Sequence, residues 1–193
     1  ILDVGTGSGL VALMMAQRYE DAEVTAIDIE PGACLQAREN VEASPFAGRI
    51  SVVESSLQGF HGGEFDAIVC NPPFYAGTLA SKTAARTMAR SAETLPFADL
   101  FRHAVRLLAD GGVLSVVVPA ALRSDFDAEA ALSGLFPRRV CMVKTVLRKA
   151  ASRCLLEYGR RTPLRFEEME ECLNNADMTR SEWYSRLTQD FYL

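Results

Sequence analysis

Three short stretches carry the residue types that site chemistry needs. The first is Asp3-Val4-Gly5-Thr6-Gly7-Ser8-Gly9, which follows an apolar run and opens an amphipathic one. Glycines at such a junction let the backbone turn tightly and let a ligand approach the peptide groups. A dinucleotide fingerprint spaces its glycines as G-x-G-x-x-G; here the third comes one residue early, at Gly9, and Leu10 follows. Asp3 sets a carboxylate at the strand end, which suits a cationic or hydroxyl-bearing group better than a phosphate. The second stretch ends at Asp28, where nucleoside-binding parallel sheets place an acid on a ribose hydroxyl pair; Glu30 is its close competitor. The third is Asn71-Pro72-Pro73-Phe74. Its prolines fix the turn, so the Asn71 side chain and the Pro72 carbonyl can aim at one spot and hold an NH2 group between two acceptors. Phe74 offers a flat face on which a planar ring can stack.

These stretches need elements to position them. Ile1 to Val4 reads as a strand, Ser8 to Tyr19 as a helix with a wide apolar face, and Glu23 to Ile29 as a second strand. Pro31 suits the first turn of a helix running to about Ala43. Ile50 to Val53 and Phe65 to Cys70 are further short strands, the latter ending on the Asn-Pro-Pro turn. A helical period from Pro96 to Ala109 stops at Gly111-Gly112, and Val113 to Val118 is a continuous apolar strand. Ser124 to Leu135 reads as a helix. Arg139 to Leu147 and Ser152 to Tyr158 have no helix between them, so they form an antiparallel pair. Thr179 to Leu193 reads as a terminal helix, with Trp183, Tyr184 and Phe191 as core or docking anchors. Strands alternating with helices predict a mostly parallel sheet covered on both faces.

The 193 residues allow a single domain, 1–193, with a substantial core: 49% are hydrophobic and 23% charged. A net charge of -5 argues against a protein that coats nucleic acid by bulk charge. No apolar run reaches the roughly 18 residues that span a bilayer, and no signal-peptide pattern opens the chain. Five scattered cysteines without a C-x-x-C pair, and two histidines (His61, His103), argue against a disulfide framework or a zinc site. A cytoplasmic monomer that uses no metal is expected. Cys70, on a buried strand, reads as core. The chain opens at Ile1 in what reads as the end of a strand, so a preceding segment is expected.

The glycine spacing resembles the loop of S-adenosylmethionine (SAM) methyltransferases, and Asn-Pro-Pro-(Phe/Tyr) resembles the signature of those that modify nitrogen conjugated to a planar system. ILDVGTGSGLVALMMAQR, then QARENVEASPFAGRI, NPPF, an Arg-x-x-x-Arg segment and the terminal WYSRLTQDFYL are together similar to the bacterial tRNA(Val) (adenine-N6) methyltransferases. That resemblance covers nearly the whole chain. It implies a Rossmann-like class I SAM-dependent methyltransferase fold: a seven-stranded, mostly parallel sheet with one antiparallel strand and helices on both faces. It implies SAM as cofactor and N6 of adenine 37, just 3′ of the anticodon, as target. By position, Gly5, Gly7 and Gly9 match the SAM loop, Asp28 the ribose acid, and Asn71, Pro72, Pro73 and Phe74 the catalytic motif. After the third strand such enzymes often carry an acid beside the SAM adenine; here Glu54-Ser55-Ser56-Leu57 stands there, with Ser56 as an acceptor. The resemblance also implies a segment before the first strand that helps close the pocket. In the chemistry it implies, acceptors at Asn71 and Pro72 orient a delocalised, weakly nucleophilic NH2, and in-line alignment with the sulfonium methyl does most of the rest.

Residues 138 to 165 hold nine basic residues (Arg138, Arg139, Lys144, Arg148, Lys149, Arg153, Arg160, Arg161, Arg165) and one acid, Glu157. A basic block on an acidic body is an electrostatic footprint for phosphates. Lys82, Arg86 and Arg90 form a smaller group after the catalytic turn. Lys82, Arg86, Arg90, Arg148 and Lys149 are the candidate RNA contacts. The competing reading of the block is a solvated strand pair whose cations are met by Glu167, Glu168, Glu170 and Glu171. An anticodon loop already exposes unpaired bases, so a target base is cheap to extrude. Rival functions are methylation of another RNA base, DNA adenine or a protein glutamine, a non-catalytic SAM- or RNA-binding module, and a nicotinamide oxidoreductase, which the glycine spacing disfavours.

Overall fold

A computed structural model describes residues 1–72 and 95–191 of the chain. Its frame is one sheet of eight strands in the order β3-β2-β1-β4-β5-β7-β6-β8. The strands are β1 (Leu2–Val4), β2 (Val24–Asp28), β3 (Ile50–Glu54), β4 (Phe65–Cys70), β5 (Leu108–Pro119), β6 (Phe136–Lys144), β7 (Arg153–Gly159) and β8 (Glu167–Cys172). All run parallel except β7, which is antiparallel to both β5 and β6. Helices α1 (Leu10–Arg18), α2 (Pro31–Glu42), α3 (Phe97–Leu107), α4 (Arg123–Leu132) and α5 (Glu182–Thr188) connect or follow the strands.

Two apolar clusters hold the layers together. Ala12 and Ala16 of α1 and Val41 of α2 pack with Val24, Ala26 and Ile50. Leu100, Phe101, Ala104 and Leu107 of α3 and Phe126 and Ala130 of α4 pack with Val4, Ile68, Leu114, Val116 and Tyr158. Because side chains alternate along a strand, Ala26 and Ile27 serve different clusters. The helical period of α3 is matched by burial of Leu100, Phe101, Ala104 and Leu107, whereas α5 buries no residue. Two arginines complete helix ends, where the last carbonyls lack partners. Arg49 donates to Ala16 O (2.6 Å), Ala22 O (2.9 Å) and Tyr19 O (3.1 Å) beyond α1. Arg160 donates to the carbonyls of Val105 and Leu108 at the end of α3.

The expected mostly parallel sheet with one antiparallel strand is present, and it carries an eighth strand. β8 reads Glu-Glu-Met-Glu-Glu-Cys, a composition with little β-propensity and no alternation of hydrophobicity. It forms because it needs only one ladder, in parallel with β6, and because cations receive its carboxylates: Arg123–Glu168 at 2.5 Å and Lys144–Glu170 at 2.6 Å. Charges along an outer strand also blunt pairing with another chain. Two further boundaries differ from expectation. Gly111 and Gly112 lie inside β5, which begins directly at Leu108, because the pairing with β4 shifts register between Phe65 and Ala67. The terminal helix is confined to α5, since Asn174 bridges Arg180 in a turn and Ser181 then caps the helix by accepting the Tyr184 N–H at 3.1 Å. The last turn of α5 and the residues after it dock on α1: Arg18 donates to Leu187 O at 3.1 Å and stacks over the Phe191 ring at 4.9 Å.

Among the described residues no helix is long and apolar enough to cross a membrane, and no group of three or more His, Cys, Asp or Glu could hold a metal ion.

Candidate active site

The register places the sequence-derived residues in one row. Val4 pairs with Ile27 on one side and with Cys70 on the other. Gly5, Asp28 and Asn71 therefore leave the sheet at one level, on three adjacent strands about 5 Å apart. The order β2-β1-β4 also marks where the strand sequence reverses direction across the sheet. Open α/β sheets form their ligand crevice at that point, beyond the carboxyl ends of the strands.

The loop after β1 turns because its glycines adopt positive φ: 70° at Gly5, 57° at Gly7 and 82° at Gly9, a region costly for residues with a Cβ. Gly5 and Thr6 N–H donate to Ile27 O at 2.9 and 3.0 Å, and Gly9 N–H donates to Thr6 O at 2.9 Å. A Cβ on Gly5 or Gly7 would meet nothing within 4 Å, so the peptide groups there border open space that a ligand can fill. Gly9 instead allows close packing. A Cβ there would lie 3.3 Å from Ala37 Cβ, so α2 sits directly against the loop.

Two carboxylates stand around this loop. Asp28 accepts the Gly7 N–H on Oδ2 at 2.9 Å and the Glu30 N–H on Oδ1 at 3.0 Å. Asp3 is 1% exposed, beneath the loop, and accepts the Thr6 hydroxyl at 2.6 Å. Burial pushes the Asp3 carboxyl up to about 6; the Thr6 hydroxyl and a backbone hydrogen bond involving Ala12 oppose the shift, and Asp28 adds to it. Ser56 lies two residues beyond β3 at the same edge, and its hydroxyl oxygen accepts the Gly59 N–H at 3.0 Å. Asn71 follows β4 and is exposed, with Pro72 half-buried behind it. Cys70 is buried in the core, its thiol pushed up by burial and by Asp3, so it packs rather than reacts. Pro73 and Phe74 lie outside the described residues, as do Lys82, Arg86 and Arg90.

The methyltransferase small domain family matches residues 1–145. A relative from Aeromonas hydrophila, a tRNA1(Val) (adenine(37)-N6)-methyltransferase, is 38% identical over all of this chain and 82% of its own length. One of the same name from Parabacteroides distasonis is 39% identical with the same coverage. The chain belongs to the tRNA1(Val) (adenine(37)-N6)-methyltransferase family. Solved structures agree on the fold of this family member. Protein Atu636 of Agrobacterium tumefaciens, a predicted O-methyltransferase, superposes with a TM-score of 0.75 at 20% identity, covering 98% of this chain and 88% of its own. Magnesium protoporphyrin IX methyltransferase of Synechocystis, solved with bound SAM, gives 0.61 at 16% identity over 83% of this chain and 69% of its own.

For a member of the tRNA1(Val) (adenine(37)-N6)-methyltransferase family, the placement of cations matters, and the sheet divides the basic block. β6 runs parallel to β4 and β7 runs back, so residues 145–152 emerge at the edge that carries Gly5, Asp28 and Asn71. Arg160, Arg161 and Arg165 follow the other end of β7 and lie at the opposite edge. Several block cations are met by protein partners. Arg139 meets Glu157 at 2.7 Å, Arg161 meets Asp110 at 2.6 Å, and Arg160 caps α3. The competing reading of the block thus holds for Lys144, which β8 neutralises through Glu170, as it does Arg123 through Glu168. Arg148 and Lys149 are exposed and make no ion pair among the described residues.

Sequence reasoning missed the loop's supports. Asn40 of α2 donates to Ser8 O at 2.8 Å, Thr6 donates to Asp3, and Ala37 closes on Gly9. Thr6, inside the glycine stretch, was within reach of a sequence argument. Asn40 and Ala37 carry no local signal; only the packing of α2 brings them there.

Proposed function

We propose that this chain transfers the methyl group of SAM to N6 of adenine 37 in the anticodon loop of tRNA(Val), acting as a single-domain cytoplasmic monomer. The observation that carries this reading is the row Asp28–Gly5–Asn71 at the point where the strand order reverses. The row brings the Asp28 carboxylate, the open glycine loop and the Asn71 amide side by side, which supports a site for a nucleoside and an NH2 group.

The residues present fit SAM. The open peptide edges of Gly5 and Gly7 accept close approach, Asp28 offers carboxylate oxygens to a ribose diol, and Ser56 keeps acceptor capacity beside its bond to Gly59. Asp3, ionised at neutral pH beneath the loop, favours a positively charged ligand. Bound there, SAM supplies an electrophilic methyl group on a sulfonium.

The chain's own part is positioning. The Asn71 side-chain oxygen and the Pro72 carbonyl accept hydrogen bonds from an exocyclic NH2, and their dipoles favour the positive charge that develops on nitrogen during transfer. Holding nitrogen close to the methyl and in line with the breaking bond supplies much of the acceleration. The methylated nitrogen then loses a proton to water, so no dedicated base is required. The Pro73-Phe74 continuation of the motif supplies a stacking face for the adenine ring, and Lys82, Arg86, Arg90, Arg148 and Lys149 supply phosphate contacts.

The test is to incubate the protein with methyl-labelled SAM and, separately, tRNA, ribosomal RNA, DNA and release factor. Label in tRNA as N6-methyladenosine at position 37 is the expected result. Label on another substrate, or SAM binding with no transfer to any, would overturn it.

A further inference from the structure

The end of the sheet at β6 and β8 carries a second surface on the site's edge. The β6–β7 loop holds Leu147, 75% exposed, followed by exposed Arg148 and Lys149. Arg153 begins β7 just behind them. A turn after β8 is tied to this loop, since Leu173 and Asn174 N–H donate to Lys144 O and Thr145 O at 2.9 and 3.0 Å. In that turn Met178 is 59% exposed and held at φ 71°, a conformation unusual for a residue with a long side chain and one met at functional sites. Arg180, which ends the turn, stacks over Tyr184 of α5 at 4.8 Å. The turn's own carboxylate, Asp177, is engaged by the Thr179 N–H at 3.0 Å and hydroxyl at 2.6 Å.

The chemistry of this surface is that of a nucleic-acid grip. Its loop has cations with no carboxylate between them, and its turn adds the exposed Met178 side chain. β6 lies three strands from β4 in the order β4-β5-β7-β6, about 14 Å at the usual strand spacing. An RNA whose target base sits at Asn71 would bring phosphates several nucleotides away over this surface.

We infer that the β6–β7 loop and the Asn174–Arg180 turn form one platform that grips the RNA backbone beside the target loop. This rests on the tRNA reading above. Arg148, Lys149 and Arg153 contact phosphates, while Leu147 and Met178 contact sugar or base edges. Position, rather than total charge, decides the role: cations of the same block at the opposite edge take no part.

The experiment measures binding of an unmodified tRNA transcript with a valine anticodon across a salt series. The proteins are the wild type, Arg148→Ala/Lys149→Ala, and Arg161→Ala/Arg165→Ala, two pairs that remove equal charge at opposite edges. The site-edge pair is expected to weaken binding about tenfold or more and to flatten the slope of log affinity against log salt by about 1.5 to 2. The far-edge pair is expected to leave both within error of wild type, and SAM affinity is expected to hold in all three. Equal effects from the two pairs, or none from the site-edge pair, overturn the platform. Wild type that neither binds nor methylates tRNA overturns the functional reading and the platform together; wild type that methylates tRNA, beside an unaffected site-edge pair, overturns the platform alone. Met178→Gly keeps the backbone conformation and removes the side chain, so a loss of tRNA affinity of a few-fold supports the turn's share and unchanged affinity overturns it.

Discussion

The Gly7 N–H donates to Oδ2 of Asp28 at 2.9 Å, joining the loop after β1 to the end of β2. Asp28, the acid proposed to hold a ribose, is therefore also an anchor of the loop after β1. Asp28→Ala is expected to cost about 2 kcal/mol of stability, because two peptide N–H groups lose a charged acceptor. It is also expected to weaken SAM binding more than tenfold. Urea titration and calorimetric SAM titration measure the two effects, and an unchanged SAM affinity would remove Asp28 from the pocket.

Asp3 predicts a pH dependence. Burial raises its carboxyl from an ordinary 3.8 to about 6, so the folded protein holds the proton more tightly than the unfolded chain. Its contribution is complete below pH 4 and declines as pH rises to about 6, by about 3 kcal/mol at most. Asp3→Asn removes this dependence: its urea midpoint is expected to match wild type near pH 4 and exceed it at pH 8. A cationic ligand favours the carboxylate, so SAM affinity of the wild type is expected to rise across the same window and that of the variant to stay flat.

Asn71→Ala removes the acceptor proposed to orient the nucleophile and leaves the loop after β1 untouched. The expected kcat loss is about 10² to 10³-fold, with the SAM Kd within twofold of wild type. Single-turnover transfer and SAM titration separate the two, and undiminished turnover would defeat the mechanism.

Gly9→Ala places a Cβ at φ 82° and 3.3 Å from Ala37 Cβ. Backbone strain and the close contact together are expected to destabilise by about 1–3 kcal/mol. Gly48→Ala, where a Cβ meets nothing within 4 Å and φ is ordinary, is the control and is expected to be nearly neutral. Equal urea midpoints for the two variants would contradict the packing account.

By itself the sequence determined the local chemistry and the layers. Apolar periodicity and punctuation located seven of the eight strands, because each buries side chains in a repeating pattern that burial demands. The glycine loop, Asp28 and Asn71 were legible for a related reason: a turn of positive φ and a proline corner restrict the residue types that fit. β8 was hidden, since four glutamates in six residues match no buried pattern, and its strand exists through pairing with β6 and through Arg123 and Lys144. Asn40 and Ala37 were hidden likewise, being brought to the loop by packing between elements. The basic block shows the division most clearly. Composition counts its charges, but the reversal at β7 sends Arg148 and Lys149 to the site's edge and Arg160, Arg161 and Arg165 to the other. Charge acts through distance, and only the folded sheet sets the distances.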